Sequence, residues 1–276
     1  MRLALKILLV IVIIAIATFV IWWATRKPSN NRDWAKDQQV LASADITKDS
    51  VTVHNIRNFT YRSETDYTPG YYDKTFDLNK IKGMWYIVEP FSSIQGPAHT
   101  FVSFEFENNT FVAVSIEVRK LQGEVFTPWK SAFPHYELQY VVADENDVVK
   151  LRSNFRKDKV FVYPIKGEKS GFRSIFLDYM NRVNQLHDHP EFYNLFYNTC
   201  TTNIVDSVNR ATGTQIPWSY QLILPSFSDQ FAENLGLLDT NLPLDQARQK
   251  YQINARAEQF ANDPNFSVKI REPLTQ

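Results

Sequence analysis

The chain predicts an α+β domain, with an antiparallel sheet packed on helices, behind one N-terminal membrane-spanning helix. Three observations carry that prediction. Ile7 to Ala24 is an uncharged apolar run, residues 46–165 alternate mostly with period two, and from Phe172 the apolar period becomes helical. Abundant aromatics (20 Phe, 13 Tyr, 6 Trp) and only 8 Gly describe a well-packed globular domain without low complexity. Lys and Arg number 30 against 30 Asp and Glu, so no charge excess points to a nucleic-acid partner.

The apolar run comes first in the chain. In helix it spans about 27 Å, close to the hydrocarbon core of a bilayer. Trp22 and Trp23 sit where an interfacial aromatic belt lies, and Arg2, Lys6, Arg26 and Lys27 flank the run. A cleaved signal peptide would have a shorter apolar stretch and small residues at its end, whereas Trp-Trp-Ala-Thr-Arg-Lys makes a poor cleavage site. The expectation is a retained single-pass anchor in the inner membrane. Residues 1–6 form its cytoplasmic tail, 7–24 the span, 25–45 a polar linker and 46–276 a periplasmic domain. The charges at Arg32 and Lys36 argue weakly for the opposite orientation.

Strands are expected at Ser50–Asn55, Lys74–Leu78, Gly83–Val88, Thr100–Phe106, Phe111–Val118, Glu137–Val142 and Val160–Pro164. Phe172, Ile175, Phe176, Tyr179, Val183 and Leu186 then mark an amphipathic helix that Pro190 stops. A second helix follows Asn198 or Thr199, and Leu244, Ala247, Tyr251, Ile253, Ala257 and Phe260 suggest a last one. Ordinary core packing accounts for all of these stripes.

Cys200 is the single cysteine, within Tyr-Asn-Thr-Cys-Thr-Thr-Asn-Ile, so it forms no disulfide inside the chain. Small polar neighbours place it in a helical first turn, where backbone N–H groups and the helix dipole favour a thiolate. A half-buried packing cysteine is the competing reading, and the local sequence leaves both open.

A thiol nucleophile needs a base. Of five histidines, His54 lies in a strand, His135 in a loop, and His187 and His189 at a helix end. No Cys/His cluster has zinc-ligand spacing, and no metal or other cofactor is expected. His99 instead opens a strand directly after Gly96-Pro97-Ala98, at a sheet rim. Its face continues through Phe101, Ser103 and Glu105, opposite a greasier face that should be buried. Pairing across the Asn108-Asn109-Thr110 turn sets His99 opposite Glu117 or Arg119, depending on whether the loop has three residues or five. Either register leaves the Glu117 carboxylate beside the imidazole, unless both strands merely present solvated polar faces. Arg57, Arg119 and Arg152 are candidates for a phosphate headgroup or for pairing with a carboxylate.

The order His then Cys reverses that of papain and resembles the circularly permuted branch of the NlpC-type papain-like superfamily, including the lecithin:retinol acyltransferases. Five ordered motifs are more specific. They are Ile-Arg-Asn-Phe-x-Tyr at 56–61, Gly-Pro-x-His-Thr-Phe at 96–101, Ser-Ile-Glu-x-Arg at 115–119, Tyr-Val-Val-x-Asp-Glu at 140–145 and Asn-Thr-Cys-Thr-Thr-Asn-Ile at 198–204. With the tail from Leu224-Pro225 to Leu237, they resemble the Lnb N-terminal periplasmic domain family. That resemblance implies a periplasmic thiol-dependent domain, with Cys200 as nucleophile, His99 as base, and Ser115 and Glu117 in the matching Ser-x-Glu motif. It also implies transfer of an acyl chain from a membrane phospholipid to an amine, in named members a lipoprotein N-terminus. A cysteine peptidase or amidase on the same fold, and a non-catalytic envelope interaction module, are the rival expectations.

Overall fold

The computed structural model describes residues 2–91 and 96–272; residues 1, 92–95 and 273–276 lie outside that description. Helix α1 (Arg2–Thr25) is exposed along its whole length and has a mean hydropathy of 3.0, long and apolar enough to cross a membrane. Its two threonines return their hydroxyls to backbone carbonyls one turn back, which leaves no bare hydroxyl facing lipid.

Ten strands follow: β1 (Ser43–Ile46), β2 (Ser50–Arg57), β3 (Thr60–Tyr61), β4 (Tyr67–Thr68), β5 (Tyr71–Asp77), β6 (Ile81–Pro90), β7 (Ala98–Phe106), β8 (Thr110–Arg119), β9 (Glu137–Ala143) and β10 (Phe161–Pro164). The remaining helices are α2 (Glu145–Lys150), α3 (Lys169–Asp188), α4 (Cys200–Thr212), α5 (Ser228–Asn234), α6 (Leu244–Tyr251), α7 (Asn254–Gln259) and α8 (Phe266–Lys269). The main sheet runs β1-β2-β9-β8-β7-β6-β10, with β5 also on β2 and a separate β3–β4 hairpin. All its pairings are antiparallel except β2 with β9, so the fold is α+β around a mixed sheet.

Both faces of this sheet are covered. Val102, Phe104 and Phe106 face α3 and α4, whose buried residues include Phe172, Ile175, Phe176, Tyr179, Val183 and Leu186, the expected stripe. Phe176 meets Phe104 and Phe106 at centroid separations of 5.1 and 5.3 Å, contacts worth about 0.5–1.5 kcal/mol each beyond burial. On the other face Phe101, Ala113 and Val141 pack under Val148 and Val149 of α2, Ala257 of α7, and Phe266 and Ile270 at α8. The polar-looking face of His99 and Phe101 is therefore roofed, against the alternative of a solvated hairpin. The roof comes from residues 145–155 and the C-terminal helices, whose short lengths leave little periodic signal.

Two further differences matter. The expected last helix is broken at Gln252–Ile253, where the Ile253 N–H bonds the Val160 carbonyl and Gln252 bridges Phe161. Residues 25–45, expected as a linker, lie largely on the domain. Arg119 donates from Nε to Gln38 O, from Nη1 to Asn30 Oδ1 and from Nη2 to Gln39 O, and its guanidinium covers the buried Trp34 ring at 4.3 Å.

Candidate active site

Helix α4 begins as the sequence requires. Thr199 is its N-cap: its hydroxyl accepts from Thr202 N–H while the Thr202 hydroxyl accepts from Thr199 N–H, a reciprocal capping box. Asn203 braces the turn from behind, donating to Asn198 Oδ1 and the Thr199 carbonyl and accepting from Tyr140. Cys200 is thus the first helical residue. It is 4 % exposed, at the edge of the apolar layer between sheet and helices. Its Sγ has Thr201 Oγ1 at 3.7 Å, and Tyr193 packs at the edge of the same apolar layer. Burial raises the Tyr193 pKa well above the ordinary value, so this hydroxyl stays protonated and able to donate.

His99 sits at the start of β7, its ring stacked on Phe101 at 5.5 Å. The turn from β7 to β8 is three residues long, and the register pairing Phe101 with Ser115 runs on to set His99 level with Glu117. Level is not touching. His99 Nε2 lies 2.7 Å from Ser115 Oγ, and Ser115 in turn donates to Glu117 Oε1 at 2.7 Å. Glu117, expected to hold the imidazole itself, reaches it through the serine.

This chain of hydrogen bonds runs one way. Arg152 donates from Nη2 to Glu117 at 2.9 Å and from Nε to Glu89 at 2.6 Å. Burial alone would raise the Glu117 carboxyl, but the Arg152 charge overrides it and holds it well below the usual carboxylate range. An ionised carboxylate only accepts, so the single Ser115 proton is committed to it. Ser115 Oγ must then accept from His99 Nε2–H, which leaves the lone pair of the neutral ring on Nδ1. Nδ1 has no hydrogen-bond partner among the described residues. Burial, then the nearby Arg152 charge, lowers the His99 pKa to about 3 against the pull of Glu117, so the ring is neutral at physiological pH.

Cys200 and His99 form no hydrogen bond with each other among the described residues. The side chains one residue further on do touch, Thr100 Oγ1 meeting Thr201 Oγ1 at 3.0 Å. The His99 ring lies with Phe101 on the roofed face of β7, and Thr100 on the face that meets α4, so the imidazole and the head of α4 come to the strand's start from either side of the sheet.

The candidate arginines are engaged internally. Arg57 forms a bidentate pair with buried Asp147 at 2.9 Å on both arms, and Asp147 also accepts from Phe59 N–H and Tyr61 Oη. Arg119 is spent on residues 30–39, and Arg152 on Glu89 and Glu117. The carboxylate partner thus prevails over the headgroup at Arg57 and Arg152.

Sequence reasoning missed Glu89 and Tyr193. Glu89 pairs across the sheet with His99, and burial raises its pKa to about 7 despite Arg152. A carboxylate closing the apolar run Trp-Tyr-Ile-Val was the available signal. Tyr193 lies in an irregular stretch, and nothing local marks it.

A family model of the Lnb N-terminal periplasmic domain matches residues 67–226, more than half of the chain, including His99, Ser115, Glu117, Arg152, Tyr193 and Cys200. No curated protein and no solved structure matches the chain. The matched domain and α1 together fit a single-pass membrane protein with a periplasmic domain. The chain belongs to the Lnb N-terminal periplasmic domain family.

Proposed function

We propose that this chain is an inner-membrane-anchored thiol acyltransferase of permuted papain-like architecture, with Cys200 as nucleophile and His99 as base. The observation that carries this reading is the chain Arg152–Glu117–Ser115–His99, which orients the ring and leaves a lone pair on Nδ1, one residue from the Thr100–Thr201 contact with α4. A positioned base and a third group that orients it are what a thiol nucleophile needs. Ser115, Glu117 and Arg152 are positioning residues in this scheme.

Cys200 gives its proton to His99 Nδ1 as sulfur bonds to the ester carbonyl carbon of a phospholipid. The backbone N–H groups at the head of α4 and the protonated Tyr193 hydroxyl are the donors we assign to the developing oxyanion. Collapse expels the lysolipid oxygen, which takes the proton back from His99, and leaves an acyl thioester. An amine then attacks that thioester, losing its proton to His99, and the C–S bond breaks to return the thiol. A lipoprotein N-terminus is the acceptor we favour.

Access from a bilayer supports the reading. Phe133 packs against Phe19 and Trp23 of α1 at about 6 Å. Trp129, Phe196 and Tyr197, 65, 58 and 67 % exposed, flank it, and Leu195 N–H bonds the Ser131 carbonyl to join their loops. The loop ending at Cys200 is thus on the side of the span.

The test is intact mass of the full chain after incubation with phospholipid vesicles. An acyl adduct in wild type, absent in Cys200→Ser and His99→Ala, is the expected outcome, followed by chase onto an amine-bearing lipopeptide. Adducts with envelope peptides alone would move the assignment to a peptidase or amidase. An inert thiol under all conditions would move it to an interaction module.

A further inference from the structure

A cavity of about 320 Å³ runs beside α4, separate from the hydrogen-bonded machinery around His99. Met84, Tyr86 and Val102 form its floor, and Ile204, Val205 and Val208 its wall. We infer that this cavity is the binding site for one unbranched hydrocarbon chain, the acyl chain held while its carboxyl end is at Cys200. The inference rests on the acyl-transfer reading for its purpose; its test does not.

Position comes first. Thr201, Ile204, Val205, Val208 and Thr212 recur at helical spacing, so the lining is one stripe of α4 that starts a residue past Cys200. Thr201, next to Cys200, shares the lining with the buried Tyr86 and Val102, so the deep end of the cavity is at the thiol end of the helix.

Shape comes next. Eleven residues of rise make the stripe about 16 Å long. Dividing the volume by that length gives a mean cross-section of about 20 Å². A narrow channel of that length suits an extended alkyl chain. Protein interiors pack like organic crystals, and about ten water-sized volumes left open between a sheet and its helix is far outside that norm.

Chemistry decides the occupant. The polar groups at the deep end are already satisfied: Tyr86 donates to Ser228 Oγ at 2.7 Å, Ser228 to the Pro225 carbonyl at 2.5 Å, and Thr201 pairs with Thr100. None of the unpartnered buried polar atoms among the described residues belongs to the lining. In that deep part a peptide or sugar would find no free partner, whereas a hydrocarbon loses only its contact with water.

The far end opens at the surface between Gly167–Gly171 and Thr212–Thr214. A Cβ on Gly171 would meet Thr212 Cγ2 at 3.9 Å, an ordinary contact, so a larger side chain there narrows the mouth without displacing backbone. The absence of a side chain at Gly171 therefore leaves the mouth open to a long chain.

The experiment is photolabelling of the full-length Cys200→Ser chain in detergent micelles, with palmitic acid carrying a terminal diazirine. Labelled peptides are expected from α4, α5 and 166–171, suppressed by unlabelled palmitate. Val208→Trp should reduce that labelling at least tenfold. Should Val208→Trp fail a thermal melt, Gly171→Leu keeps the inference exposed: it should cut palmitate labelling and spare an octanoate-length probe. Label confined to α1 or the outer surface, or labelling that a folded variant leaves unchanged, would overturn the inference. Cys200→Ser forms no acyl thioester, so a labelled cavity in an enzyme that transfers nothing would sink acyl transfer alone. Active transfer with an unlabelled cavity would sink the chain site alone.

Discussion

Ser115→Ala isolates the claim that His99 is held through a relay. The substitution removes one oxygen from a fully buried site and with it two 2.7 Å hydrogen bonds, from His99 Nε2 and to Glu117. The remaining ring can carry its proton on Nδ1, the atom that must be bare to accept from the thiol. A hydrogen bond to a charged network contributes about 1.5–3 kcal/mol, so the acylation step should slow by roughly 10- to 150-fold. Donor affinity should hold, because Ser115 touches no part of the cavity. The assay is the single-turnover rate of the Cys200 acyl adduct by mass, at several donor concentrations. Ser103→Ala is the matched control: it is equally buried on the same strand face, yet its hydroxyl makes only a 3.4 Å bond to the Val112 carbonyl. Wild-type acylation in Ser115→Ala, or equal losses in both variants, would refute the relay.

Removing the thiol or the base should be more severe, with Cys200→Ser and His99→Ala giving no acyl adduct by intact mass. Arg57→Met strands the Asp147 carboxylate in a buried pocket and should cost about 3–5 kcal/mol, read as a fall in the urea midpoint. Thr199→Ala deletes the cap of α4 and should cost about 0.5–2 kcal/mol in the same titration. Acidity should act through His99. Its folded pKa of about 3 lies below the unfolded 6.5, so the unfolded chain takes up a proton that the native ring refuses. Stability then falls as pH drops through that window, by up to about 1.4 kcal/mol per unit. Glu89, with its folded pKa raised to about 7, opposes this down to about pH 4.5. Between pH 6.5 and 4.5 the two nearly cancel, so His99→Phe, with only Glu89 left, should gain Tm relative to wild type as pH falls; parallel curves for wild type and variant would count against a neutral ring.

The period-two runs and the Phe172–Leu186 stripe were legible because a face repeated every two or 3.6 residues leaves a pattern that survives in one dimension. The capped head of α4 was legible for a similar reason, since Thr199 and its partner Thr202 are three residues apart. The roof over His99 was not. Residues 145–155 form a short helix running into a wide π-type turn, and their apolar contacts lie across the sheet rather than along the chain. Arg152 was visible only as a possible pair for some carboxylate, because Glu89 and Glu117 come to it from two strands far apart in sequence. The relay through Ser115 depends on a gap of one side-chain length between β7 and β8, which no spacing rule encodes.

The clasp of Arg119 on residues 30–39 sets how far the domain can wander. Ser29 N–H already bonds the Glu137 carboxylate, and Asn30 bonds the carbonyls of Leu186 and His187. Only Arg26, Lys27 and Pro28 remain between the end of α1 and the first attached residue. Three residues and their junctions reach about 14 Å at full extension. The domain is therefore a short-leashed body that patrols a thin layer over one leaflet. Its encounters are a search in two dimensions, in which neighbours in that leaflet are met repeatedly and solutes deeper in the periplasm seldom. A longer leash, made by inserting a flexible segment after Pro28, would dilute the site away from the bilayer without altering any group within it.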